Sequence, residues 1–132
     1  FKTAGTAAGR DFVVFNGPDE QLVSGLSMGA DAGIGGTYGA MPELYERIYQ
    51  LHAENRIAEA REIQYAANEI IYKLCAGRGN MYGMIKEVLR INEKLDIGGV
   101  RKPLTDLNQA DRDLAEEAAG MIRQAVGEYC RG

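Results

Sequence analysis

The sequence is poor in the residues that build metal, disulfide and membrane structures. Its 132 residues include no tryptophan, one histidine and two cysteines. His52 lies in a polar stretch where we expect it to be solvated, and the other candidate ligands form no spaced cluster around it. Cys75 and Cys130 lack CxxC spacing, which is typical of reduced, structural thiols. We therefore expect no metal and no cofactor.

Charge and hydropathy exclude two further classes of partner. The net charge is −4 and no basic run occurs, which argues against nucleic acid because phosphate binding needs clustered Lys and Arg. No apolar run approaches the ~18 residues of a membrane span. The first residues lack an apolar signal core, so the expected compartment is the cytoplasm. With 45% hydrophobic and 26% charged residues, the composition is that of an ordinary globular chain.

The stretch from residue 12 to residue 38 predicts a strand, a short helix and a second strand. Phe12-Val13-Val14-Phe15 is too short for a helix and is closed by Asn-Gly-Pro, as in a parallel strand buried on both faces. Residues 20–28 read as a short helix that ends at Gly29, and residues 32–35 as the second strand. Such a unit closes as a right-handed parallel crossover.

Two loops follow these strands and form the candidate site. They are the acidic loop, residues 17–20, and the glycine loop, residues 35–38. Ligands of parallel α/β proteins bind at the carboxyl ends of strands, and ionised carboxylates accept hydrogen bonds from sugar hydroxyls. Asp19 and Glu20 therefore suit a polyhydroxylated ligand. The competing interpretation, favoured on residue type alone, makes Asp19 the N-cap of the following helix.

The glycines do not form a nucleotide-binding motif, and Tyr38 is interpreted as scaffold rather than as acid or base. A dinucleotide fingerprint would need Gly where Tyr38 stands, and a P-loop would need a Gly-Lys pair. Nucleotide binding is therefore not expected.

From Pro42 onward the pattern predicts four helices. Pro42 suits a first helical turn, the second helix covers residues 57–76, Asn80 caps the third, and Asn108 with Asp111 opens the last. The predicted buried face of the last helix is Leu114, Ala118, Met121, Ile122 and Ala125.

Four stretches make the sequence resemble a known family. They are Asn16-Gly17-Pro18-Asp19-Glu20-Gln21, Gly35-Gly36-Thr37-Tyr38, Met41-Pro42-Glu43-Leu44-Tyr45 and residues 63–74. From about residue 12 to about residue 125 the chain resembles the C-terminal part of the bacterial N-acetylneuraminate lyases, members of the dihydrodipicolinate synthase superfamily. The Asp-Glu pair is typical of the sialic-acid enzymes within it.

The resemblance implies an α/β fold, namely the last two strands of an eight-stranded (β/α) barrel followed by extra helices. Residues 1–53 would be barrel and residues 54–132 C-terminal helices. It also implies a Schiff-base aldolase that cleaves sialic acid to N-acetylmannosamine and pyruvate in a homo-oligomer. The catalytic lysine would lie outside this chain, because Lys2 stands too close to the first strand to precede a crossover helix. Gly17, Asp19, Glu20 and Gly36 would contact the substrate, Gly36 through its backbone alone.

Two alternatives remain open from the sequence. One is a paralogue that acts on another 2-keto acid, such as a dihydrodipicolinate synthase-like enzyme. The other is a helical interaction module with no active site. In either case the unpaired edges of the two strands need a cover, either the rest of a barrel or another copy.

Overall fold

A computed structural model describes Thr3, Ala7, Gly9 and residues 12–130. Two short strands are followed by a set of longer helices. The predicted role of Lys2 as a solvated side chain lies outside the described residues.

The two strands pair in parallel, as predicted. Strand β1, Phe15–Asn16, lies beside β2, Ala32–Gly33, with Phe15 opposite Ala32. The amide of Asp31 donates to the Val14 carbonyl at 2.8 Å, which extends the pairing by one step. Both strands are shorter than the sequence predicts.

The prediction that the first strand is buried on both faces is wrong for this chain. Val13 is 71% exposed and Phe15 is 52% exposed. The described sheet has two strands, and the described elements leave most of the Val13 side chain and half of Phe15 uncovered. The pattern of four apolar residues predicts the strand but not which other segments pack against its side chains.

Between the strands the chain forms a 3₁₀ turn, Asp19–Gln21, and helix α1, Leu22–Ser27. Leu22 and Val23 are buried, and Gly29 has a φ of 89°, the left-handed conformation that ends helices. The predicted single helix is thus a 3₁₀ turn joined to a short α-helix. At the end of α1, the Oγ of Ser27 lies 3.3 Å from Nε2 of His52. His52 was predicted to be solvated, but it is half-buried.

A second 3₁₀ turn, Gly36–Gly39, leads into the four predicted helices. They are α2, Pro42–Ala53; α3, Ile57–Cys75; α4, Met81–Glu93; and α5, Gln109–Tyr129. Asn80 caps α4 by accepting from the Gly83 amide at 2.9 Å. Asn108 and Asp111 form a capping box at the start of α5. These caps confirm the predicted starts of both helices. No helix in residues 12–130 is long and apolar enough to cross a membrane.

The core lies among the helices. Helix α3 packs against α2 and α5, and α5 packs against α4. On α5 the apolar positions with no exposed surface are alanines, whereas Leu114 and Met121, predicted to be buried, are only half-buried. Small side chains allow the helix backbones to approach closely, which places the larger residues at the margins. The alanines with no exposed surface are Ala115, Ala118 and Ala119, and Ile122 on the same helix is buried as predicted.

Candidate functional site

The acidic loop and the glycine loop lie together, as expected for segments that follow parallel strands. One carboxylate oxygen of Asp19, Oδ2, accepts from the Thr37 amide at 2.9 Å and also from the Thr37 hydroxyl. These two hydrogen bonds join the loops directly. The sequence predicted the two loops but not Thr37, although a hydroxyl residue inside a glycine-rich loop was the available signal.

Asp19 does not cap the helix that follows it. The residue at the N-cap position of the 3₁₀ turn is Pro18, and the structure shows no side-chain cap hydrogen bond there. The Asp19 side chain is instead directed to Thr37, and the residue is 8% exposed. The cap interpretation, favoured on residue type alone, is therefore wrong. Asp19 is a buried acceptor that connects the loops.

A chain of hydroxyl groups extends from Asp19 into the core. The Oγ1 of Thr37 lies 2.6 Å from the hydroxyl of Tyr45, which is 2% exposed. Since an ionised carboxylate can only accept, the single Thr37 proton goes to Asp19, and Tyr45 must donate to Thr37. Burial raises the pKa of the Tyr45 hydroxyl and nearby Asp19 adds to the rise, although the Thr37 hydrogen bond lowers it. Tyr45 therefore keeps its proton at neutral pH.

Tyr38 stacks on Tyr45 and fills the space beneath the second strand. The ring centroids are 4.0 Å apart and the rings are tilted by 10°. The Tyr38 hydroxyl is buried and has no hydrogen-bond partner among the described residues. Burial, then the charge of Asp19, raises its pKa. A phenolate is thus disfavoured, which agrees with Tyr38 as scaffold rather than as a base.

The glycines of the site have different surroundings. A Cβ on Gly35 would overlap the Asp19 carboxylate, so glycine is required there. At Gly36 a Cβ would make only ordinary contacts, the nearest 3.5 Å away at Met81 and Tyr82. At Gly17 a Cβ would meet nothing within 4 Å. Gly17 and Gly36 are also exposed, so both are open to a ligand.

Glu20 differs from Asp19 in its side chain. It is half-buried, and its carboxylate makes no hydrogen bond or ion pair within the described part of the chain. The predicted site residues therefore divide into one buried connector, Asp19, and three accessible positions, Gly17, Glu20 and Gly36.

Three described lysines make contacts away from the acidic loop and the glycine loop. Lys73 pairs with Glu117 at 2.8 Å, and Lys86 and Lys94 donate to backbone carbonyls on the helical side. Both cysteines are free, as predicted, and burial raises the pKa of their thiols. Among residues 12–130 no three His, Cys, Asp or Glu side chains are grouped to hold a metal ion. The arrangement can accept hydrogen bonds through the carboxylates of Asp19 and Glu20.

Comparison with known proteins places the chain in a family. Residues 3–121 match the profile of the dihydrodipicolinate synthetase family. The chain belongs to this family. It is 54% identical over 123 residues to an N-acetylneuraminate lyase from Mediterraneibacter gnavus, an alignment that includes 93% of this chain and 39% of the relative. The chain thus spans well under half the length of that relative.

Solved structures give the same result for the fold. The wild-type sialic acid aldolase of Ruminococcus gnavus superposes with a TM-score of 0.92 at 50% identity, over 97% of this chain and 42% of that one. The N-acetylneuraminate lyase of Fusobacterium nucleatum superposes with a TM-score of 0.77 at 28% identity, over 98% of this chain and 40% of that one. The resemblance inferred from the sequence is confirmed, and so is the fold class of two parallel strands with following helices that form part of a larger lyase fold.

Proposed function

We propose that this chain supplies the sugar-binding side of an N-acetylneuraminate lyase, a Schiff-base aldolase that cleaves sialic acid to N-acetylmannosamine and pyruvate. The observation that carries the proposal is the 54% identity to a protein of that name, together with an acidic loop held in place at the strand ends. Within the whole protein, residues 1–53 belong to a (β/α)8 barrel and residues 54–132 to its C-terminal helices. The protein is a cytoplasmic homo-oligomer.

In this reaction the bond-breaking groups lie outside the chain. A lysine amine attacks the keto carbon of the substrate, and the resulting iminium accepts the electron pair as the carbon–carbon bond breaks. A structure of the Ruminococcus gnavus sialic acid aldolase is described as a catalytic lysine mutant, which agrees with lysine chemistry in a relative. This chain contributes the groups that orient the substrate for that step.

Four residues of this chain face the polyol end of the substrate. The accessible Glu20 carboxylate accepts from substrate hydroxyls, and Asp19, although 8% exposed, offers a further acceptor in Oδ1, the oxygen to which Thr37 does not donate. Gly17 and Gly36 let the substrate approach the backbone closely, because neither carries a side chain in the exposed space beside the loops.

A chimera tests this proposal. The chain replaces the matching segment of the Mediterraneibacter gnavus lyase, and the product is assayed with N-acetylneuraminate. We expect cleavage, with a tenfold to hundredfold loss of kcat/KM in Glu20→Ala, since a hydrogen bond to a charged group is worth about 1.5 to 3 kcal/mol. Glu46→Gln, which changes an exposed carboxylate on α2, is the matched control.

Pyruvate provides the internal reference. Trapping of pyruvate by borohydride should survive Glu20→Ala, because the three-carbon acid does not reach the acidic loop. A folded chimera that traps pyruvate but leaves sialic acid intact would reject the proposal. It would favour a second candidate, a paralogue acting on another 2-keto acid, which membership of the dihydrodipicolinate synthetase family supports.

A further inference from the structure

Two amide side chains on helix α3 contact the acidic loop from the helical side. Gln64 is 4% exposed, and its Nε2 donates to the Asp19 carbonyl at 3.0 Å. Asn68, one turn further along the helix, donates from Nδ2 to the Glu20 carbonyl at 3.3 Å. The backbone of the acidic pair itself is thus bonded to one face of α3.

Gln64 also holds the chain after the loop. Its Oε1 accepts from the Val23 amide at 3.1 Å, at the start of α1, where helix amides have no partner within the helix. Its Nε2 makes a second bond, to Oδ1 of Asn68 at 2.9 Å. The two side chains therefore fix each other as well as the backbone at Asp19, Glu20 and Val23.

The position of Gln64 within α3 is unusual for a polar residue. Its buried neighbours on the same face are apolar, and burying an amide is unfavourable unless its hydrogen bonds are satisfied. Every bond that Gln64 makes is directed to Asn68 or to the segment from Asp19 to Val23. The buried neighbours are Ala60, Ile63, Ala67, Ile70, Ile71 and Leu74.

We propose that Gln64 and Asn68 are positioning residues for sugar recognition, because they fix the backbone that carries the Asp19 and Glu20 carboxylates. This inference rests on the proposed function. The two residues touch no substrate and act only through the acidic loop. Since small displacements of an orienting group are costly in catalysis, the sugar-binding step should depend on them although they belong to a helix 45 and 48 residues away in sequence.

The condensation direction of the chimera separates positioning from stability. With pyruvate and N-acetylmannosamine as substrates, each has its own KM. We expect Asn68→Ala and Gln64→Glu to raise the KM for the sugar about tenfold, with the KM for pyruvate unchanged. Gln64→Glu keeps the oxygen that accepts from the Val23 amide. It replaces the Nε2 donor by an oxygen, which then faces the Asp19 carbonyl and Oδ1 of Asn68.

Asn92→Ala is the matched control. Asn92 lies on α4, is half-buried like Asn68, and donates from Nδ2 to the Ala119 carbonyl at 3.2 Å. It should leave both KM values unchanged. Hydrogen exchange of the Val23 amide gives a second reading, and it should become faster in Gln64→Glu and stay as in the parent in Asn92→Ala.

The outcomes separate cleanly. A fall in kcat with both KM values unchanged overturns the inference, because it shows a merely structural role. Kinetics identical to the parent in both Asn68→Ala and Gln64→Glu also overturn it. If the parent chimera traps pyruvate but never acts on the sugar, the proposed function is overturned. In that case faster exchange of the Val23 amide in Gln64→Glu supports the positioning of the loop, and unchanged exchange overturns it.

Discussion

The helical region and the strand region of this chain differ in how their apolar residues are covered. In the helices, Ile48 and Ile70 are no more than 1% exposed. In the strand region, Phe15 is 52% and Ile34 is 63% exposed. The helical region thus contains its own core, whereas large apolar side chains of the strand region, which carries the candidate site, are exposed.

Hydrogen bonds, in contrast, join the strand region to the helical region. The acidic loop is bonded to Thr37, to Gln64 and to Asn68, and Thr37 in turn is bonded to Tyr45. The candidate site is therefore bonded to helices α2 and α3, although Phe15 and Ile34 beside it are exposed. Under the proposed function, geometry and catalysis are separable, because the described residues supply the orienting groups and the reacting lysine lies outside the chain.

The first prediction tests this separation with an all-or-none result. The chain by itself should form no covalent adduct with pyruvate, because the described lysines lie on the helical side and none follows a strand. The measurement is the intact mass of the chain after incubation with pyruvate and borohydride. The chimera should gain one adduct under the same conditions. A stoichiometric adduct on the isolated chain, at Lys2 for example, would contradict the prediction.

The second prediction compares the two regions by mutation. Ile70→Ala should lower the free energy of unfolding of the chain by about 2 to 5 kcal/mol, since it leaves a cavity in a packed core. Phe15→Ala should cost less than about 1 kcal/mol, because half of the ring is already exposed. Urea unfolding followed by circular dichroism measures both.

The same pair of mutations can sharpen the comparison in the chimera. If the rest of a barrel covers β1, Phe15→Ala should there cost about 3 kcal/mol or more, close to the effect of Ile70→Ala. Equal effects of Phe15→Ala in the chain and in the chimera would show that the rest of the barrel does not bury Phe15.

The helices were predictable from the sequence because their signals are local. Pro42 at the first turn of α2, the Asn80 cap and the Asn108–Asp111 capping box each act within one helical turn, and all are confirmed. Resemblance likewise identified the family. What the sequence could not give was the partner of each polar group. Residue type alone favours Asp19 as the cap of the nearest helix, whereas its partner, Thr37, lies 18 residues away.

The cover of the strands was unpredictable for a related reason. An apolar run predicts that a strand is buried somewhere, but the covering side chains belong to other segments. Gln64 illustrates the same limit for polar residues, because nothing local to α3 indicates that its amide reaches residues 41 and 45 positions earlier.

The third prediction concerns pH and the helical region. The carboxylate of Asp111 accepts from the amides of Asn108, Arg78 and Gly79, at 3.0, 2.8 and 3.1 Å. These hydrogen bonds, that of Asn108 first, lower the pKa of Asp111. A lowered folded-state pKa stabilises the fold above the unfolded value of about 3.9 and loses that effect as the pH falls through the folded value.

Asp111→Asn therefore should lower the melting temperature of the chain by several degrees between pH 5 and 7. The difference from the parent should shrink as the pH falls below about 4. Thermal melts across this range are the measurement, with Asp113→Asn, an exposed carboxylate on the same helix, as the control. A difference that stays constant down to pH 2 would show that the charge of Asp111 is irrelevant.

The fourth prediction, with the smallest expected effect, contrasts the two adjacent glycines of the glycine loop. Gly36→Ser should leave the stability of the chimera unchanged or raise it by up to about 1 kcal/mol, because a Cβ there makes only ordinary contacts and the unfolded chain loses freedom. Gly35→Ala is the opposite case and should destabilise it, since its Cβ would overlap the Asp19 carboxylate. If Gly36 faces the sugar, the added hydroxyl gives one neutral hydrogen bond, worth about 0.5 to 1.5 kcal/mol, so the KM for N-acetylneuraminate should change by roughly threefold to tenfold. An unchanged KM in a stable Gly36→Ser protein would remove Gly36 from the site and leave sugar recognition to Gly17, Asp19 and Glu20.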